Sequence, residues 1–494
     1  MILSKSEYMM FLRHPAWLWL KKHNKKILPK PDANLQAVFD TGNLFEDYAE
    51  ELFPNAVELG FESYEEYLSL PERTMKALSD GAETIFQGRF ESNNITCIVD
   101  VLKRVEGNVF DLYEIKSNSS VKKEHFPDLA FQTLVIEGAG LEIRNIYVTH
   151  VNSEYRRSGE IEIEKLTKTE DVTNDVRAKT EETKLGIDKA FAVIESSTMP
   201  NISPRHVKLG SLSDWMEIYE IIEGEISPYS IYNLYKVNKR RIGELEDMGV
   251  KMIEDIPDDY DVPNSQIAQV AVTKSGERYF EKENIKEFLE SLKYPLYFLD
   301  YETTSNVIPP FDGTKPYQQV PFQYSLHILE SPDGELTHKE YLHTDNSNPV
   351  EPLLKQLKED VGGVGSVLVW CEGFEKPRNI EMGKMFPEYS GFLSDVNDRV
   401  VDLMVPFSKG WFVDKDFYGG ASIKDVLPAL VPSLSYKDLN VQEGSTASRL
   451  WKETFIDEED TGDRKKIADD LLKYCELDTL AMVEIWKVLK NSQK

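Results

Sequence analysis

The stretch Leu296-Tyr297-Phe298-Leu299-Asp300-Tyr301-Glu302 ends an apolar, aromatic-rich run with two carboxylates two residues apart. Such a run reads as a buried strand, and strand alternation aims Asp300 and Glu302 at the same side. Like charges that close repel unless a cation sits between them, and hard carboxylate oxygens suit Mg²⁺ or Mn²⁺. Asp-x-Glu recurs at Asp333/Glu335 and Asp457/Glu459, where a turn or a solvated charge pair accounts for it. What singles out the first pair is the end of the chain. From Asp463 to Lys490 the pattern is helical, and Ile467, Leu471, Tyr474, Asp478, Ala481 and Ile485 share one face. That face is apolar apart from Asp478, with Tyr474 one turn earlier. A buried carboxylate requires a partner or a metal; the plainer alternative is a surface Asp at the margin of the stripe.

A second set of groups lies upstream. Ile95–Val105 and Val109–Lys116 flank Gly107-Asn108, a two-residue turn signal, and predict a hairpin. Asp100 sits on one strand and Glu114-Ile115-Lys116 ends the other, so they meet across the antiparallel pair. Two carboxylates can hold Mg²⁺, and the lysine can stabilise charge on an attacked phosphate or orient a water.

These groups need rigid elements around them. The chain has 494 residues, room for about three domains. An apolar content of 41% supports sizeable cores and excludes global disorder. The first two hundred residues open with helical segments, pass through the hairpin, and continue with a helix at about 127–137, a short apolar run at 143–149 and a charged helical stretch over 171–196. Pro200 and Pro204 mark a boundary. Residues 201–290 read as a mostly helical connector, with two short helical patterns around Met248-Gly249-Val250. The remainder, 291–494, begins with the Asp300 strand, then a hairpin at 322–330 and 335–344, a short strand at 366–370, and helices. Strands mixed with helices in both large parts predict α/β architecture.

The net charge of −29 repels nucleic acid at long range. A phosphodiester substrate would therefore need metal ions and local basic clusters. The candidates are Lys122-Lys123, Arg156-Arg157, and Lys236 with Lys239, Arg240 and Arg241; each by itself also reads as a solvated face. The three cysteines, Cys97, Cys371 and Cys475, are far apart and form no Cys-x-x-Cys, which speaks against a disulfide framework and fits a reducing cytoplasm. Met1–Lys26 lacks the pattern of a signal peptide, and no segment has the uncharged apolar length of a membrane span.

The first set resembles the PD-(D/E)XK nuclease superfamily, in its RecB-like branch. Asp100 followed by Glu114-Ile115-Lys116 matches the core motif. Thr41-Gly42-Asn43-Leu44-Phe45-Glu46 looks like the Gly-x-x-x-Glu motif that adds a metal ligand, here Glu46. Gln132 matches the glutamine of the helical motif, with Ile136 where tyrosine is usual. Relatives of the CRISPR-adaptation type carry an iron–sulfur cluster on four cysteines. Here His14 and His206 stand at two of those places and no cysteines follow, so no iron–sulfur cluster is expected. Packing roles are expected of both histidines, and Cys97 reads as a small core residue.

Asp300, Glu302, Tyr474 and Asp478 resemble the first and third motifs of DEDDy-type 3′–5′ exonucleases, which have an RNase H-like fold. In their middle motif Glu375 would take the Asp role, with Cys371 where Asn is usual. The segment Pro309-Pro310-Phe311-Asp312-Gly313 through Ser325 looks like the signature of an uncharacterised bacterial domain fused behind RecB-like nucleases. Its aromatics would stack on bases or simply pack. The Met248-Gly249-Val250 region resembles a helix-hairpin-helix.

The resemblances imply a PD-(D/E)XK domain over 1–200, the connector over 201–290, and an RNase H-like exonuclease domain over 291–494. They imply hydrolysis of DNA, or of RNA, with Mg²⁺ or Mn²⁺ held by Glu46, Asp100 and Glu114 in one site and by Asp300, Glu302, Glu375 and Asp478 in the other. Lys116, Gln132 and Tyr474 would act on the reacting groups, and Lys122, Lys123, Lys239, Arg240 and Arg241 would hold nucleic acid. The rival expectation is a catalytically silent nucleic-acid-binding or assembly protein, or one live site beside one structural site.

Overall fold

Ser4 ends a two-residue strand, β1 (Leu3–Ser4), and caps the helix Lys5–Arg13 that follows. Its hydroxyl accepts the Glu7 N–H, and the Glu7 carboxylate accepts the Ser4 N–H at 3.0 Å, so two orphan donors of the helix start are satisfied reciprocally. This junction fixes the direction in which Lys5 leaves the strand. The structure, a computed structural model, describes residues 1–458 and 462–492; Glu459 of the third Asp-x-Glu pair lies outside them. Two compact units account for the chain: Met1–Ile226 with Asn306–Tyr317, and Ser227–Ser305 with Gln318–Lys494. Both mix helices and strands, so the chain is of the α/β class.

In the first unit, β2 (Val57–Glu58), β3 (Thr84–Ser92), β4 (Ile95–Glu106), β5 (Val109–Lys116), β6 (Glu142–Val151) and β7 (Thr167–Asp171) form a sheet in that order. The β4–β5 hairpin turns at Gly107-Asn108 as predicted. One edge of β4 pairs with β3, and the other is long enough to serve two partners. At Ile95–Thr96 it pairs in parallel with β1, and from Val101 onward it pairs with β5. Asp100 lies where one partner gives way to the next. The helix His125–Gly138 packs on β3, β4 and β6. The stretch read as one helix over 171–196 is two, Thr173–Arg177 and Thr180–Glu195.

Asn306–Tyr317 belongs to this unit rather than to the flanking sequence. Val307 is buried beside Phe53 and Val151. The Arg157 guanidinium donates to the Pro309 and Pro310 carbonyls at 3.0 and 2.8 Å, and Arg156 donates to Gly313 O at 2.9 Å. The proline-rich segment is thus fastened by backbone acceptors, and the Arg156-Arg157 pair is spent on holding it.

In the second unit, β8 (Tyr279–Phe280) pairs with β14 (Phe412–Val413). The main sheet has β9 (Leu296–Thr304), β10 (Val320–Leu329), β11 (Leu336–Leu342), β12 (Ser366–Val369) and β13 (Val400–Asp402) in the order β11-β10-β9-β12-β13. The first three are antiparallel neighbours, while β12 and β13 run parallel to β9. β9 therefore sits in the middle and is buried along most of its length. The helix Arg464–Asn491 is capped by Asp463, which accepts from the Lys465 and Lys466 N–H groups, and it packs on β9 and β10. Around Met248-Gly249-Val250 there is one helix, Lys239–Asp247, followed by a 3₁₀ turn, Ile253–Asp255. The next full helix, Asn264–Ser275, starts only after Pro263.

Gly365 leads into β12 with φ +95°, and a Cβ there would lie 2.2 Å from the Pro295 carbonyl oxygen just ahead of β9. Gly365→Ala combines a left-handed backbone, costing about 1–2 kcal/mol, with displacement of a packed strand end, costing about 1–3 kcal/mol. Urea unfolding is expected to show a loss of about 2–5 kcal/mol. An unchanged midpoint would contradict the close approach of these two strand entries.

Candidate active sites

In the second unit β9 delivers Asp300 and Glu302, and the helix Arg464–Asn491 returns Tyr474, Cys475 and Asp478 to them. One ligand atom each from Asp300, Glu302 and Cys475 lies within 4.8 Å of the others. The Cys475 thiol donates to Asp300 Oδ2 at 3.8 Å, and the Tyr436 hydroxyl donates to Asp478 Oδ1 at 2.5 Å. Asp478 is 7% exposed, so it is not a surface residue at the edge of the stripe. Glu375 enters from the first turn of helix Glu372–Met385, which begins directly after β12. The turn is held by Asp402 at the end of β13, whose carboxylate accepts the N–H groups of Cys371 and Glu372 at 3.0 and 3.1 Å. Cys371 pays in backbone strain, with φ +82°.

Asp300, Glu302, Tyr474 and Asp478 line a cavity of about 520 Å³ together with Gln319, Trp370, Phe374, Lys424 and Gly444, while the buried Glu375 is near enough to Asp300 and Glu302 to feel their charge. Gly444 roofs it closely: a Cβ there would stand 3.5 Å from Glu302 Oε2. The electrostatics are those of acids gathered without enough positive charge. Burial, reinforced by mutual repulsion, pushes Asp300, Glu302 and Glu375 well above the usual carboxylate range. Burial raises Asp478 to about 6, opposed by the Tyr436 hydroxyl, Lys424 and Tyr474. Lys424 is exposed and lies 5.6 Å from the ring centres of both Tyr436 and Tyr474. Burial and the surrounding carboxylates push the Tyr474 phenol upward, so it remains an O–H donor.

The donor set fits a hard divalent cation. Glu375 is buried, and its Oε2 has no hydrogen-bond partner, a cost that a cation would remove. The carboxylates raised by one another's charge would return to their ionised forms beside it.

The first unit gathers its predicted groups differently. Glu114, fully buried, has both oxygens engaged. Oε1 accepts from Lys5 at 3.1 Å and from Lys116, and Oε2 accepts from Gln132 at 2.7 Å. Asp128 joins them, 3.5 Å from the Lys5 ammonium and 3.8 Å from that of Lys116. Burial would raise Glu114, but Lys116 and Lys5 override it and hold the carboxyl far below its ordinary value. Asp100 Oδ2 accepts the Ile115 N–H at 2.8 Å, and burial with the Glu114 charge pushes it up to about 8. Glu46 accepts from Gln87, a strand residue with φ +53°, and burial with Glu50 and Glu114 raises it to about 7. The Gln132 side-chain oxygen Oε1 is buried without a partner. Glu46, Asp100, Glu114, Lys116 and Gln132 therefore interact as one group, in which Glu114 is neutralised by lysines.

The basic residues divide. Lys122 and Lys123 are exposed just beyond β5. Lys239 and Arg240 are exposed at the start of helix Lys239–Asp247, where Arg240 pairs with Glu244 at 2.7 Å. Arg241 is a correction: it is 7% exposed, donates to Asp261 O at 2.7 Å and stacks over Tyr260, so its charge serves the fold.

His14 lies flat on Trp215, ring centres 3.7 Å apart. Its Nδ1 accepts the Ala16 N–H and its Nε2 faces Ser203 O at 3.1 Å, so both nitrogens are committed. Cys97 belongs to the core. Lys5, Asp128 and Gln87 in one site, and Tyr436, Lys424, Cys475 and Gly444 in the other, were missed by the sequence reading. Only Cys475 carried a local signal, one residue past Tyr474 on the inward side of the helix.

Residues 297–422 match a family described as a domain of unknown function, DUF2779. That span includes Asp300, Glu302 and Glu375, and ends before Tyr474 and Asp478. The chain is 26% identical over 220 residues to the uncharacterized protein MG366 of Mycoplasma genitalium, a match covering 40% of this chain and 32% of that protein. It is likewise 26% identical over 223 residues to the MG366 homolog of Mycoplasma pneumoniae, covering 42% and 34%. To the uncharacterized protein UU173 of Ureaplasma parvum it is 24% identical over 229 residues, covering 42% and 32%. The chain thus spans about a third of the length of the curated relatives it matches. No helix among the described residues is long and apolar enough to cross a membrane.

Proposed function

We propose that the protein is a metal-dependent nuclease whose working centre is the acidic cavity of the second unit. The observation that carries the reading is the convergence of Asp300, Glu302 and Asp478 on one cavity, with the buried Glu375 beside Asp300 and Glu302 and one of its oxygens orphaned. These four carboxylates would hold Mg²⁺ or Mn²⁺, which supplies charge stabilisation and an activated water when bound. The chain's own groups do the rest. Tyr474, kept protonated, orients the water by its hydroxyl. Lys424, at the cavity wall, offers positive charge to a phosphate that the −29 net charge would otherwise repel. Gly444 leaves room above Glu302 for the end of a strand. A central strand carrying two ligands and a last helix carrying a third support the DEDDy-type exonuclease resemblance, with DNA favoured over RNA as substrate.

The engagement of both Glu114 oxygens favours a second reading for the first unit: a PD-(D/E)XK-like frame whose lysines hold the acid silent until substrate displaces them. Labelled single- and double-stranded DNA and RNA, digested with Mg²⁺, test both. The parent is expected to shorten at least one substrate from its 3′ end, Asp478→Ala to lose that activity, and Lys116→Ala to keep it. A parent that digests none of them overturns the proposal. Digestion that survives Asp478→Ala and vanishes with Lys116→Ala moves the working centre to the first unit.

A further inference from the structure

A second cluster in the second unit stands apart from the acidic cavity and plays no part in the proposed reaction. His327 on β10 and His338 on the edge strand β11 are direct cross-strand partners. Their ring centres are 4.5 Å apart. Glu476, on the helix that crosses this end of the sheet, completes a group whose ligand atoms all lie within 4.8 Å of one another. The Glu476 carboxylate is 3.9 Å from His338 Nδ1.

Each imidazole is held by its other nitrogen. His327 Nδ1 meets Thr479 Oγ1 at 2.8 Å, and His338 Nε2 meets Ser325 Oγ at 2.9 Å. The two hydroxyls are themselves bonded at 2.7 Å. Outer hydrogen bonds of this kind set the tautomer and aim of metal-binding histidines. Burial, with His338 and Lys487 adding to it, lowers His327 to about 4, which keeps its ring neutral and its lone pair available. His327 is buried while His338 and Glu476 are half-buried, so one side stays open for water.

We infer that His327, His338 and Glu476 form a binding site for a transition-metal dication of the Zn²⁺ class, with water completing a tetrahedral set. Two imidazoles and one carboxylate suit Zn²⁺ or Co²⁺ and not Mg²⁺ or Ca²⁺. The site ties the helix to the sheet edge. Glu476 is two residues before Asp478, and Ser325 is the cross-strand partner of Asp300. The bound metal therefore fixes the register of the helix that delivers Asp478 to the cavity.

The test is zinc binding by the full chain, read by competition with a chromogenic chelator in excess Mg²⁺, which keeps the carboxylate cavity from recruiting zinc through Cys475. The parent is expected to hold one Zn²⁺ per chain. Glu476→Gln and His338→Asn, both at half-exposed positions that tolerate change, should each lose that equivalent. Thr479→Val should weaken it about 10–100-fold. Asp300→Asn should keep it. Zinc binding equal in the parent and in both ligand variants, or none in the parent, overturns the assignment. So does zinc that is lost with Asp300→Asn and kept with His338→Asn.

Discussion

Asp300→Asn is expected to slow Mg²⁺-dependent digestion by about a thousandfold while leaving the chain folded. Asn preserves the volume of the side chain and removes one anionic oxygen from a position where β9 and the last helix meet. Lewis-acid stabilisation of a phosphoryl transition state amounts to several kcal/mol, and about 1.4 kcal/mol corresponds to tenfold in rate. Losing about 4 kcal/mol of it therefore removes three decades. Single-turnover digestion at saturating enzyme separates this from a binding defect. Lys424→Ala supplies the contrast. Its ammonium is exposed and acts through solvent, so a loss of only about tenfold is expected. An Asp300→Asn chain that cuts at the parental rate would remove β9 from the chemistry.

The parts of this site that could be read in the sequence were those governed by short-range periodicity. Alternation placed Asp300 and Glu302 at the end of a strand, and steps of three and four put Tyr474 and Asp478 on the inward face of the last helix. The structure keeps that face buried from Leu471 onward, with Ile467 only half-buried at its start. The hairpin carrying Asp100, Glu114 and Lys116 was equally legible, because Gly107-Asn108 permits a tight turn and little else. Glu375 was legible as an acid just beyond a short strand, though nothing local announced Asp402, which holds the turn.

What escaped was set by packing between distant segments. Lys5 lies 109 positions from Glu114 and reaches it only because the two-residue β1 docks beside β4 where β5 has not yet begun to pair. A strand of two residues has no period to detect. Tyr436 and Lys424 sit in a region of short helices and 3₁₀ turns, where neither period holds for long. Asn306–Tyr317 reads as part of the Asp300 domain because it follows β9 directly, yet its proline carbonyls find donors on Arg157, about 150 residues earlier. The −29 charge, legible from composition, takes on structural meaning only where acids are buried together.

That gathering of acids makes the metal-free protein more stable at about pH 5 than at about pH 8 and makes Mg²⁺ matter most at the higher pH. Asp300, Glu302 and Glu375 are raised well above the ordinary carboxylate value, Asp478 to about 6, Asp100 to about 8, and Glu46 and Glu50 to about 7. Each of these acids binds its proton more tightly when folded than when unfolded. Between its unfolded value near 4 and its raised folded value, the native state carries more protons, so stability falls as pH rises. Glu114 has the opposite sign: its folded value is depressed, and its contribution is lost only as pH falls below the ordinary carboxylate range. Without metal, the melting temperature is therefore expected to decline from about pH 5 to about pH 8. Mg²⁺ at a hundred times its Kd contributes about 2.7 kcal/mol. For a unit of this size that corresponds to about 5–10 °C, with the gain largest at pH 8, where the acids are released to the cation. Asp300→Asn removes one of the repelling charges, so without metal it should melt above the parent at pH 8 and gain little from Mg²⁺. Thermal unfolding in EDTA and in Mg²⁺ at pH 5 and pH 8 reads both effects. A parent that Mg²⁺ does not stabilise at pH 8, or an Asp300→Asn chain that melts below it in EDTA, would mean that these carboxylates are balanced by the protein alone and await no ion.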